Sequence, residues 1–289
     1  MVIATITSGL GNQLFQYALA RQISINNKSS LYFDLRFYKS AYSKETSRSF
    51  KLDKFDITYL EINKPIDFLL KTIKLFPKNS FPPFFSTIKE SYYHFDPEVL
   101  KVNDYLLNFK GYWHSQNYFQ GVADKIKEEL KFNNIPSLEF HSYKKEIENS
   151  ENTVSIHIRR GDYVNHPEFS KTFGFIGLEY YQKAIELIKE KVFNCKFFIF
   201  TDDKDWVLNN FTQEENFVFV NNTGIDADLD DLHLMKLCNH NIIANSSFSW
   251  WGAWLNNNTN KIVIAPKKWF KDQPNWDTKD LLPPNWLKV

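Results

Sequence analysis

The densest run of chemically capable side chains is Ile156-His157-Ile158-Arg159-Arg160-Gly161-Asp162-Tyr163. A guanidinium presents a planar fork of N–H donors that matches phosphate oxygens two at a time. Two adjacent arginines with a histidine and an aspartate are therefore what a diphosphate needs. Strand alternation would put His157 and Arg159 on one side near the strand's carboxyl end, with Arg160 and Asp162 in a turn that Gly161 permits. The bland alternative is a surface Arg–Asp pair, which contributes about 0–1 kcal/mol. Placement at the mouth of a parallel sheet favours the phosphate reading, because α/β sheets bind ligands there.

A second run is Asn245-Ser246-Ser247-Phe248-Ser249-Trp250-Trp251-Gly252-Ala253-Trp254-Leu255. Ser246 or Ser247 would cap a helix whose N-terminal N–H groups and hydroxyls suit an anion. The tryptophans read as core. Upstream, Asp228, Asp230 and Asp231 either complement a helix dipole or supply a carboxylate that accepts two N–H bonds from a guanine base. Gly9-Leu10-Gly11-Asn12-Gln13-Leu14 approaches a dinucleotide loop but lacks its third glycine. What remains is a tight glycine turn that brings backbone and Asn12 close to a ligand. Asp202 and Asp203 close another strand. They read as a strand-end cap and as ribose-contacting or arginine-orienting groups, since permanently charged arginines and a helix N-terminus make a metal redundant.

These residues need elements to hold them. Val2–Ile6 reads as a buried strand, helical spacing starts at Asn12, and Leu31–Phe33 reads as a strand, a β-loop-α-β opening typical of a parallel sheet. Residues 40–145 resist ordering. Phe81-Pro82-Pro83-Phe84-Phe85 is a break, Lys110-Gly111-Tyr112-Trp113 resembles a strand end, and helical spacing covers Tyr118–Leu130. His141–Asn152 reads as a polar linker. Beyond it come strands Val154–Ile158, Phe197–Thr201, Phe217–Val220, Asn241–Ala244 and Ile262–Ala265, with helices Leu178–Glu190, Leu229–Leu237 and Phe248–Leu255. The expected fold is two α/β, Rossmann-like, doubly wound parallel-sheet domains, residues 1–145 and 150–289, facing a cleft, with a last helix that crosses back.

Composition narrows the class. The chain has 289 residues, 35 basic and 34 acidic side chains, and a formal net charge of +1. That lacks the basic excess of a nucleic-acid binder. Glycine is scarce, 9 residues, while 27 Phe, 14 Tyr and 8 Trp make the chain strongly aromatic. Cys195 and Cys238 form no CxxC pair and read as buried thiols. No signal peptide or membrane-length apolar run is evident, so a cytoplasmic protein is expected. Lys64–Lys78 is the exception worth testing: Phe68, Leu69, Ile73 and Phe76 share a helical face opposite Lys71, Lys74 and Lys78. That face suits either a core or peripheral contact with the inner face of a membrane.

The motifs HIRRGDY, SGLGNQLFQYALA and LHLMKLCNHNIIANSSFSWWGAWL together resemble glycosyltransferase family 11, the α-1,2-fucosyltransferases, along nearly the whole chain. The resemblance implies a GT-B fold and inverting transfer of L-fucose from GDP-β-L-fucose to the 2-hydroxyl of a galactose-terminated oligosaccharide. It implies no metal, and a place in surface-polysaccharide or lipopolysaccharide synthesis. By position it implies that Arg159 binds the β-phosphate, His157 the nucleotide and Asp231 guanine. Ser247 and Ser249 would hold the diphosphate, and Asn12, on the Gly9–Gly11 loop, would face the fucose. Arg160 and Ser246 join the expected donor set as further N–H and hydroxyl groups for the leaving oxygens. The general base does not carry over; Asp162 is the first candidate, or else it orients Arg160. Two alternatives stay open: a fucosyltransferase of another linkage, and a non-catalytic nucleotide or glycan binder.

Overall fold

The computed structural model of the chain describes residues 1–39, 48–73, 85–133, 135–211, 214–271, 273 and 276–289. The chain divides into two compact units, Met1–Asn133 with Trp276–Leu281, and Asn134–Asn275 with Leu282–Val289. Both are α/β units built on a wholly parallel sheet.

The first unit runs β1 (Val2–Thr5), α1 (Leu10–Asn26), β2 (Leu31–Asp34), α2 (Arg36–Lys39), β3 (Leu60–Glu61), α3 (Lys64–Ile73), β4 (Phe85–Lys89), β5 (Leu106–Lys110) and α4 (Ala123–Glu129). Its strand order is β3-β2-β1-β5-β4. Val2, Ile3 and Ala4 are buried because a central parallel strand is covered on both faces. The difficult middle of the sequence holds β3 and β4, which are two and five residues long and lack a fully buried position. Short, half-exposed strands leave little hydrophobic alternation to read. Helix α1 begins at Leu10, two residues before the expected start. Helix α3 buries Leu70 against Ile3 and Leu106, while Phe68 and Leu69 are exposed. Residues 81–84 of the Phe-Pro break, and Lys74, Phe76 and Lys78, lie outside the described residues.

The second unit runs α5 (Leu138–Glu148), β6 (Asn152–Ile158), α6 (Gly161–Asn165), α7 (Pro167–Thr172), α8 (Leu178–Lys189), β7 (Cys195–Thr201), α9 (Lys204–Asn210), β8 (Phe217–Phe219), α10 (Ala227–Leu237), β9 (His240–Ile242), α11 (Ser247–Leu255), β10 (Val263–Ala265) and β11 (Leu287–Lys288). Its strand order is β11-β10-β9-β6-β7-β8. Val154, Ile156 and Ile158 of β6 point into a core with Tyr181, Ile185 and Ile188 of α8 and Phe197 and Ile199 of β7. The opposite face of β6 is buried but polar: Ser155 Oγ accepts from Asn241 Nδ2 at 2.7 Å, and Thr153 Oγ1 donates to Asn239 Oδ1 at 2.7 Å.

Two expectations need correcting. The supposed linker 141–152 holds most of α5, whose N-cap Ser137 accepts from Phe140 N–H. Only Phe140 and Ile147 of α5 are buried, so its sequence is polar although the helix is packed. The segment Trp276–Leu281, which crosses into the first unit, is not a helix. Cys195 and Cys238 are both buried and unpaired with each other.

Candidate functional site

In an open parallel sheet the loops that follow two neighbouring strands diverge where the strand order reverses, leaving room for a ligand. In the second unit that point lies between β6 and β9. The loops leaving it are Arg159–Asp162 and Ala244–Ser247, joined by Tyr163 Oη donating to Asn245 O at 3.0 Å.

Both arginines are held by carboxylates. Arg159 Nη2 lies 2.6 Å from Asp162 Oδ2 and its Nη1 lies 3.2 Å from Asp202 Oδ2. Arg160 pairs with Asp203, and its guanidinium lies 4.3 Å from the centre of the Trp206 ring. Asp162 therefore orients Arg159, not Arg160; Asp203 takes Arg160 because it opens α9, where it also caps Trp206 N–H. Burial works against charge on Arg159, yet Asp202 and Asp162 raise its pKa above the ordinary arginine value. Burial likewise pushes Asp202 upward, but Arg159 and the N–H groups of Arg160 and Gly161 hold it below the usual carboxylate range.

The role of Gly161 is not a special turn. It opens α6, and a Cβ there would lie 2.8 Å from Asp202 Oδ2. The missing side chain lets a carboxylate reach the backbone. With two guanidiniums against Asp162, Asp202 and Asp203, the cluster is not positive in sum. Its usefulness to an anion rests on oriented donors.

His157 is buried beside Phe248, its ring centre 5.4 Å away. Burial, then Arg159, lowers its pKa to about 3, so the ring is neutral. Its Nδ1 is sealed from solvent with no hydrogen-bond partner among the described residues. Ser246 occupies the N-cap of α11 with extended backbone but makes no side-chain cap bond, and Ser247 opens the helix. Ser249 is turned away: it is buried, and its hydroxyl donates to Ser246 O at 3.3 Å. Trp250, Trp251 and Trp254 are core.

A second cluster adjoins the first through Lys204, which follows Asp203 and donates to Asn221 Oδ1 and Asn222 O. Asn222 Nδ2 donates to Asp231 Oδ1 at 2.8 Å. Burial raises the Asp231 carboxyl to about 7, against the Asn222 bond and the charge of Lys204. Of the neighbouring acids, Asp230 accepts from Ser137 N–H at 3.0 Å. Asn222, like Trp206, has no motif to announce it; it lies on the connection from β8 into α10, nine residues before Asp231.

Gly9, Gly11 and Asn12 belong to the first unit. Gly9 has φ −79° and ψ 170°, ordinary extended backbone at the N-cap of α1, and Gly11 is inside the helix. The left-handed residue of this loop is Ser8, at φ 63°. The tight turn is thus carried by Ser8 rather than by either glycine. Asn12 Oδ1 lies 3.0 Å from His114 Nε2.

The O-antigen biosynthesis glycosyltransferase WbnK of Escherichia coli is 35% identical over 284 residues, covering 92% of this chain and 93% of that protein. An alpha-1,2-colitosyltransferase of Escherichia coli is 33% identical over 302 residues, covering 100% of this chain and 99% of that protein. Among solved structures, the fucosyltransferase NodZ from Bradyrhizobium superposes with a TM-score of 0.51 at 16% identity, covering 87% of this chain and 91% of that one. That last likeness is one of fold. The family model described as Glycosyl transferase family 11 matches residues 1–289, end to end, and the chain belongs to that family.

Proposed function

We propose that the protein transfers L-fucose from GDP-β-L-fucose to the 2-hydroxyl of a β-galactoside, with inversion, as a metal-independent GT-B enzyme of surface-glycan synthesis. The observation that carries the reading is the carboxylate-held arginine pair on a loop that Tyr163 ties to the loop entering α11, at the strand-order reversal of a family 11 chain. The bond from the fucose anomeric carbon to the β-phosphate oxygen breaks, leaving negative charge on GDP. The acceptor oxygen forms the new bond from the opposite face, and its proton passes to a base. Preorganised donors at the departing oxygens are usually the largest catalytic contribution. Arg159 and Arg160 serve there, with Ser246, Ser247 and the helix N-terminus. His157 contacts the nucleotide, Asp231 accepts from guanine, and Asn12 meets the sugar. The tight bond of Asp162 to Arg159 favours an orienting role over that of base. Contact of α3 with an anionic membrane surface belongs to the same proposal.

A second reading has its own support. A relative matched along the full chain is named a colitosyltransferase, and colitose is a fucose lacking one hydroxyl, so GDP-colitose is the alternative donor. The test offers GDP-fucose and GDP-colitose separately with a panel of β-galactosides. GDP release is followed, and the product is digested with a fucosidase specific for the α-1,2 linkage. Fucose transfer cleaved by that enzyme is expected. A resistant product means another linkage, preference for GDP-colitose means the second donor, and no release from either means a binding protein.

A further inference from the structure

In the first unit the strand order reverses between β1 and β5. The loops leaving that point are Thr7–Gly9, which leads to Asn12, and Gly111–His114. The second loop is unusually constrained. Trp113 is fully buried yet has φ 63°, a left-handed conformation that a bulky residue adopts only when its surroundings force it. Glu90 forces it: Oε2 accepts from Tyr112 N–H at 2.7 Å and Oε1 from Trp113 N–H at 2.8 Å. Gly111 lets that carboxylate in, since a Cβ there would lie 2.4 Å from Glu90 Cβ. Gln16 ties the two loops together, donating to Thr7 Oγ1 at 3.0 Å and to Gly111 O at 3.1 Å.

The outcome of this construction is one contact. His114 is buried, its ring 5.4 Å from that of Tyr112 and 4.9 Å from that of Phe15. Its Nε2 meets Asn12 Oδ1, and its Nδ1 is sealed without a partner among the described residues. A buried N–H without an acceptor is rarer and costlier than a buried lone pair without a donor. The proton therefore belongs on Nε2, where it points at Asn12. Burial lowers the ring's pKa to about 3, which keeps it neutral at working pH.

We propose that His114 is a positioning residue: its Nε2–H holds Asn12 Oδ1, fixing the amide so that Asn12 offers its NH2 group, as a donor, to the sugar or its leaving phosphate. The inference rests on the sugar-facing role of Asn12 stated above. Sequence reading misses it because His114 lies beyond a segment that reads only as a strand end, about a hundred residues from its partner.

The test is a double-mutant cycle with whichever donor the wild type uses, together with nitrogen-15 spectroscopy of the histidine rings. His114→Ala should lower kcat by roughly 10–100-fold, the scale of a small misplacement in an active site, with donor KM changed less than about threefold. In an Asn12→Ala background the same substitution should cost nothing further, and His114→Gln, which still donates from Nε2, should recover about tenfold. Additive losses in an active enzyme overturn the proposal. Independently of activity, and on the wild-type protein, His114 should show the neutral Nε2–H tautomer from pH 5 to 8. An Nδ1–H tautomer or an imidazolium in that range overturns it too. An inactive wild type with the expected tautomer overturns the proposed function instead.

Discussion

At the scale of single residues, charge and donor geometry can be separated. Arg159 meets carboxylates through Nη1 and Nη2, so Arg159→Lys keeps the charge but loses the fork. A kcat lower by about 10²–10³ is expected, the usual result of losing one preorganised donor. Near wild-type turnover would remove Arg159 from the leaving-group site. Asp231 makes a pH-dependent prediction. Burial raises its carboxyl from the usual range near 4 to about 7. The folded state thus loses stability as pH rises from about 4 through 7, because the ionised form is penalised there. The guanine recognition proposed for Asp231, in contrast, needs the ionised form. GDP affinity should be full above pH 7 and fall up to about tenfold per unit below it. Asp231→Asn should abolish that profile, weaken GDP by on the order of 1–3 kcal/mol and relax guanine preference over adenine. It should also raise Tm at pH 8, by on the order of 1 kcal/mol of stability once partial exposure is discounted. Titration of GDP by calorimetry between pH 5.5 and 8.5 checks this; a flat wild-type profile refutes it.

At the scale of elements, the turn from β6 into α6 depends on Gly161 having no side chain. Gly161→Ala would drive a Cβ to 2.8 Å from Asp202 Oδ2, displacing the carboxylate from Arg159 and from the Arg160 N–H. Strain of about 1–3 kcal/mol is expected, with a loss of transfer rate at temperatures where the variant remains folded. Unchanged kinetics would show that Asp202 is dispensable. Helix α3 makes a different claim. It buries Leu70 but exposes Phe68 and Leu69, and Lys71 pairs with Asp67 at 2.6 Å. Membrane contact through that face predicts stronger co-sedimentation with anionic than with neutral vesicles, reduced by Phe68→Glu. Equal sedimentation with both would retire it.

At the scale of the whole molecule, the near balance of 35 basic and 34 acidic side chains provides little long-range field for an anionic donor. Under the proposed function, a diphosphate must then be held by local oriented donors. Asp162, Asp202 and Asp203, the carboxylates a divalent cation would want, are each engaged with an arginine. Transfer should survive exhaustive EDTA treatment and gain nothing from Mg²⁺ or Mn²⁺. Activity lost on chelation and restored by metal would mean that the carboxylates leave their arginines for the ion.

The sequence by itself determined the long, buried elements and the composition of the donor cluster. Strand β6, helix α8 and the tryptophans of α11 are legible because Val154, Ile156 and Ile158 alternate along a strand and a packed helix repeats every third or fourth residue. HIRRGDY is legible because its members are neighbours in the chain. Tertiary structure decided which member serves which. Asp202 goes to Arg159 and Asp203 to Arg160 because register sets β7 beside β6, with Thr201 opposite Ile158, while Asp162 meets Arg159 from one turn along the same segment. Ser249 turns inward because of its place on the α11 surface, which no motif specifies. His114 reaches Asn12, and Asp203 reaches Arg160, only because parallel strands gather the loops at their carboxyl ends. Such pairs join residues distant in sequence, and periodicity, a local property, carries no record of them.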